Sequence, residues 1–119
     1  RSMTKEKLPK RFLQIKKRHE KYFNAVEELG KIVKQEGPLD EKTAQLIQLA
    51  AAATERSEGA VHSHVRRALA AGVTAKEIYH AMILLTSTIG FPSVVAALSW
   101  ADDIIQNKKG RGSNLNKSQ

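Results

Sequence analysis

No cysteine occurs among the 119 residues. That excludes disulfides, thiolate metal sites and thiol chemistry carried by this chain's own side chains. No apolar run approaches the ~18 residues of a membrane span, and no signal-peptide pattern opens the chain. A cytoplasmic, membrane-free protein is therefore expected. No alternating apolar pattern of strand type stands out, and no internal repeat is present. Arg1 and Ser2 precede Met3 and read as a cloning remnant.

The charge that is present is unevenly spread. Residues 1–36 carry 11 basic and 5 acidic groups, residues 37–101 carry 5 and 5, and residues 102–119 carry 4 and 2. These sum to the net +8, with the excess in the two arms. A basic arm can meet an anionic partner. The plainer reading is a solvated helix face, so a nucleic-acid partner is not expected.

The periodicity predicts an all-α chain of about five helices. Phe12, Ile15, Tyr22, Phe23, Val26, Leu29 and Val33 recur at steps of three and four, as one long amphipathic helix. Gly37 and Pro38 should stop it, and Asp40 can cap a second helix carrying Leu46, Leu49, Ala50 and Ala53. A third is expected from Ser57 to Ala71 with Val61, His64, Val65, Ala68 and Leu69 as its stripe. Gly72 is placed to end it in a left-handed conformation. Thr74 and Glu77 form the T-x-x-E capping box of a fourth, with Ile78, Met82, Leu85 and Ile89 inward and Gly90 closing it. Pro92 suits the first turn of a fifth that bears Val94, Val95, Leu98, Ala101 and Ile105.

The domain reading follows: residues 1–7 as a leader, 8–107 as a single helical domain, and 108–119 as a disordered basic tail poor in residues to bury. The stretch "AMILLTSTIGFPSVVAAL" is apolar over much of its helical circumference. A chain this short has limited means to bury helices all round, so a homo-oligomer is expected.

Two motifs carry a resemblance. They are H-x-x-x-A, from His64 to Ala68, and "AGVTAKEI", from Ala71 to Ile78. With their flanks, over roughly residues 39–105, the sequence resembles the carboxymuconolactone decarboxylase-like family, which includes alkylhydroperoxidase D type proteins. The resemblance implies an all-α subunit that assembles as a trimer or as a hexamer. Redox-active members carry C-x-x-C at the helix start, a histidine four residues later, and a glutamate on the preceding helix. On this chain the cysteine positions hold Ser57 and Ala60, the histidine position holds His64, and the glutamate position falls at Gln45. Three of the four reactive groups are replaced.

Helical geometry states what is lost. A group at 60 shares a face with the ring of His64, and a thiol there could be deprotonated by the imidazole. Alanine cannot respond. Ser57 lies two turns from His64, ~10 Å along the axis, too far for a hydrogen bond. Thiol peroxidase or disulfide reductase chemistry is excluded by composition. Decarboxylases of the family imply a small lactone or carboxylic acid as substrate with a histidine moving the proton. A histidine with an ordinary pKa near ~6.5 suits that task. His64 is the candidate catalytic residue, with Ser57 beside it, and Gln45 and Ala60 are vestigial positions. Arg56, Arg66 and Arg67 are the nearby arginines for a carboxylate, although Arg66 and Arg67 lie off the apolar stripe.

Each of these residues also has a plainer role. A histidine on an apolar stripe is commonly a hydrogen-bonded core residue, and Ser57 is most simply a helix N-cap. His62 and His64 are two apart on a helix and point to different sides, so the pair cannot chelate one ion, and neither metal nor cofactor is expected. Glu58 favours the helix dipole and needs no further role. His80 reads as a solvated or subunit-facing residue, and Trp100 as core or interface. Two further functions stand beside the enzyme: a non-catalytic oligomeric small-molecule binder or scaffold, and a helix-turn-helix DNA binder with Ala68, Gly72 and Ile78 at that motif's spacing. The apolar run "AMILLT" is unlike an exposed recognition helix.

Overall fold

The computed structural model describes residues 10–112, with side chains described as far as residue 107. Among the described residues every regular element is an α-helix. By its contacts the chain divides after Pro38 into two units.

The N-terminal unit holds α1 (Lys10–Arg18) and α2 (Glu20–Lys34). The sequence predicts one long helix here, and the structure bends it at His19, whose φ of −128° and ψ of 55° leave the helical region. The bend is tight: His19 N–H still donates to the Ile15 carbonyl at 2.9 Å, and Phe23 N–H to the His19 carbonyl at 3.0 Å. Its reason is visible in two contacts. The rings of Phe12 and Phe23 meet edge to face at 5.5 Å, and Lys16 pairs with Glu27 at 3.5 Å. Residues eleven apart on a straight helix stand ~16 Å apart along the axis, so both contacts require the chain to turn back. No residue of either helix is buried.

From Leu39 onward the unit contains α3 (Glu41–Thr54), α4 (Glu58–Ala70), α5 (Ala75–Leu84), α6 (Thr86–Ile89) and α7 (Phe91–Gly112). The starts are set locally. Asp40 accepts from Thr43 N–H at 2.8 Å, and Ser57 accepts from Ala60 N–H at 3.3 Å. Thr74 and Glu77 close both halves of the capping box, at 3.1 and 2.9 Å. The α4 terminus is a Schellman turn: Gly72, with φ +96°, donates to the Leu69 carbonyl and Val73 to the Ala68 carbonyl. Gly90 ends α6 differently: at φ +94° and ψ 154° it is extended rather than left-handed helical, and its N–H donates to the Thr86 carbonyl at 3.1 Å.

One predicted helix is cut in two. The stretch from Thr74 to Gly90 breaks at Leu85, because Thr86 Oγ1 donates back to the Ile83 carbonyl at 2.7 Å. A hydroxyl that takes a helix carbonyl competes with the backbone, and here bonding tightens to i→i−3 from Leu85 to Met82. Ile78 and Met82 are fully buried, whereas Leu85 and Ile89 remain partly accessible. At the other end, α7 runs through Gly112, past the boundary expected at 107, while residues 113–119 of the expected tail lie outside the described residues.

The core is built around α4. Val61, Val65 and Ala68 form its buried stripe at steps of four and three. Against them stand Leu49, Ala52 and Ala53 of α3, Ile78 and Met82 of α5, and Ala97, Ala101 and Ile105 of α7. The alanines let the helix axes approach closely, and each large side chain buried here contributes about 1.5–3 kcal/mol. This packing fixes where α4 presents Ser57, Ala60 and His64.

Candidate functional site

The first turn of α4 and its neighbours hold the residues singled out above. Ser57 is the N-cap, and its oxygen is engaged by the Ala60 amide at 3.3 Å. That hydroxyl is a structural acceptor. Ala60, one turn further, is partly buried against the core and brings no reactive group. His64 lies two turns into α4 and is half-buried, with its Nδ1 enclosed by protein.

Gln45 sits on α3, the helix with the most extensive contacts to α4. It is 2% exposed, the single polar residue in the buried set among the described residues. Its amide nitrogen donates to Glu41 at 2.9 Å, one turn back. Its carbonyl oxygen is buried and accepts no hydrogen bond among the described residues. Leaving such an atom unpaired costs about 1–3 kcal/mol. An amide also neither gains nor loses a proton near neutrality, so the relay that a glutamate would complete is absent at this position.

Arg56 is a residue whose conformation the sequence did not announce. It adopts φ +56°, the only non-glycine positive φ among the described residues. The reason is a second Schellman turn: Arg56 N–H donates to the Ala53 carbonyl and Ser57 N–H to the Ala52 carbonyl, at 3.0 and 3.2 Å. A non-glycine side chain there costs about 1–2 kcal/mol. The turn sends the guanidinium to Ser93, in the first turn of α7, where Nη1 donates to Oγ at 2.6 Å. Arg56 is exposed, and its remaining N–H groups can face a ligand. The strained residue thus joins the starts of α4 and α7. Both helix starts are electropositive, and the guanidinium adds a full charge.

Two adjacent carboxylates on α7 tie the other helices. Asp102 accepts from the Tyr79 hydroxyl of α5 at 2.7 Å. Burial first, and then the Asp102 carboxylate, holds the phenol above its ordinary pKa, so Tyr79 stays protonated. Asp103 meets His62 Nε2 of α4 at 2.8 Å, and Glu58 stands 3.9 Å from the same nitrogen. His62 thus has one partner a single turn back on its own helix, Glu58, and another, Asp103, that no sequence spacing suggested. His80 is exposed on α5, and Trp100 packs against the core.

Comparison with known proteins agrees with the motifs. The family model "Carboxymuconolactone decarboxylase family" matches residues 20–103, most of the chain. Among solved structures, apo-lpg0406, a carboxymuconolactone decarboxylase family protein from Legionella pneumophila, superposes with a TM-score of 0.69 at 20% identity, over 81% of this chain and 86% of that one. At that identity the likeness is one of fold. No curated protein matches the chain. The family match begins well upstream of Leu39 and so takes in α2 as well as the helices that bear His64 and the capping box of Thr74. The chain belongs to the carboxymuconolactone decarboxylase family, as a member without cysteine.

Proposed function

We propose that this protein binds a small carboxylic acid or lactone at the start of α4 and moves a proton on it with His64. Arg56 carries the reading. A strained arginine that is exposed and held between two helix starts is an arrangement suited to a carboxylate. His64 lies ~10 Å along the axis from Ser57, the span of a small extended acid. The Gln45 carbonyl, buried without a donor, can accept from a ligand hydroxyl but cannot relay a proton. Ser57, occupied as a cap, positions the helix start and does not act as a nucleophile. Thiol peroxidase chemistry has no residue to run on.

The test is calorimetric titration with a panel of small lactone acids, alongside assay of carbon dioxide release. Arg56→Gly should weaken binding at least tenfold. His64→Asn should leave binding within a few fold and abolish turnover. Equal turnover by His64→Asn sinks the proton-transfer role, and binding indifferent to Arg56 sinks the site.

The second reading is a non-catalytic oligomeric binder or scaffold. It is favoured by the exposure of Ile83, Leu84, Phe91 and Val95, apolar side chains on α5 and α7. We propose that copies of the chain cover them in a trimer or hexamer. Light scattering giving a monomer near 13.2 kDa would overturn the assembly. Ligand binding with no turnover by any family chemistry would favour this reading over the first. DNA binding is the weakest of the three: the open face of α5 offers Lys76 beside Glu77, followed by Ile83 and Leu84.

A further inference from the structure

We propose that Glu58, His62 and Asp103 form a binding site for a first-row divalent cation of the zinc type, bridging α4 to α7. The three residues each turn one ligand atom inward, and those atoms lie within 4.8 Å of one another. The helices place them for separate reasons. Glu58 and His62 are one turn apart on α4 and share a face. Asp103 arrives from α7, which the core stripe of Ala97, Ala101 and Ile105 holds against α4.

The geometry accommodates a metal in place of the hydrogen bond between His62 and Asp103. Two carboxylates address the same imidazole nitrogen, Asp103 at 2.8 Å and Glu58 at 3.9 Å. A single N–H at Nε2 satisfies Asp103 and leaves Glu58 beyond hydrogen-bond reach. A tetrahedral ion with bonds of ~2.0–2.1 Å wants its ligands ~3.3 Å apart. The two separations from His62 lie either side of that value and all three ligand atoms lie within 4.8 Å, so rotation of the Glu58 and Asp103 side chains would complete the set. Two carboxylates also neutralise a divalent charge, while the imidazole nitrogen selects a borderline ion over magnesium or calcium, which take oxygen shells. Glu58 and Asp103 are exposed, which leaves the fourth position to water and gives the ion an entry path.

The consequence is mechanical. Glu58 is the first residue of α4, next to Ser57. An ion held here would clamp the start of α4 to α7, the same two helices that Arg56 and Ser93 join from the other side of Ser57.

The experiment is titration of the full chain, stripped with chelator, with zinc chloride by calorimetry, paired with melting curves at each concentration. One saturable ion per chain is expected, with a melting temperature that rises with zinc as ligand linkage requires. Loss of an outer partner of a metal ligand costs ~10–100-fold in affinity, so His62→Ala and Asp103→Asn should each cost at least that. Both also remove the existing His62–Asp103 hydrogen bond, so the quantity compared is the zinc-induced rise in melting temperature, which should vanish. Glu58→Gln leaves the His62–Asp103 pair intact, and it should fold normally and bind at least tenfold more weakly. His80→Ala should bind like the parent. Binding unchanged in Glu58→Gln and His62→Ala, binding lost in His80→Ala, or no saturable binding up to millimolar zinc would each overturn the proposal.

Discussion

The two units of the chain use the same helical periodicity and bury very different amounts. In α1 and α2 the apolar stripe is as regular as any in the sequence, yet none of its residues is buried. Tyr22 is 65% exposed and Leu29 57%. In the second unit, Leu49, Ile78 and Met82 are fully enclosed. The second unit sets four helices around a central one, α4, while the first has only two helices folded on each other at His19. An amphipathic stripe therefore states which face wants cover, and not what covers it.

The sharpest way to test that difference is to truncate one large side chain in each unit. Met82→Ala should cost about 2–5 kcal/mol, through lost transfer energy and the cavity left behind. Leu29→Ala should cost under ~0.5 kcal/mol as read by chemical denaturation of the same chain. A Leu29→Ala cost equal to that of Met82→Ala would show that α2 is covered in solution, and Leu29→Lys would then lower the mass seen by light scattering.

The capping devices come next. Thr74→Ala removes the side-chain half of the α5 capping box and should cost about 0.5–2 kcal/mol. Asp40 and Glu77 have carboxyls held below their ordinary values, Asp40 by its hydrogen bonds with Thr43 and Glu77 by the Thr74 amide. A depressed folded value means the contribution is present above the ordinary carboxylate range of ~4 and is lost as pH falls through the lower folded value. Melting temperatures measured from neutral to acid pH should fall in that window, and Glu77→Gln should flatten the fall. A pH profile identical to the parent would mean the α5 cap contributes nothing.

The smallest effect distinguishes function from stability. Arg56→Gly relieves the positive φ and should stabilise the chain by a few tenths to about 1 kcal/mol, less what the exposed Ser93 bond contributed. A gain in stability with a loss of ligand binding is the signature of a residue strained for use. The emptied redox positions can be probed in the same spirit with Ser57→Cys, Ala60→Cys and Gln45→Glu together. A thiol at 60, one turn from His64, should titrate below ~8.5 and pair with the one at 57. Free-thiol titration at both positions would show that His64 is not poised over the helix start.

The features legible in the sequence share a physical basis: each is settled within one helical turn. Asp40, Ser57 and the Thr74–Glu77 box act through amides three residues away. Gly72 was marked because only glycine takes φ +96° at little cost. The apolar stripe of α4 followed from the period of 3.6. Family membership was legible for the same reason, since its motifs are short and contiguous. Tertiary structure alone decided the rest. The bend at His19 exists because Phe12 and Lys16 find Phe23 and Glu27. Arg56 takes a glycine's conformation because the α3–α4 turn is that short, and its partner Ser93 is 37 residues away. His62 meets Asp103 across 41 residues, and Tyr79 meets Asp102 across 23. No local spacing encodes those meetings: they follow from how α7 lies along α4 and α5, which the packed core determines.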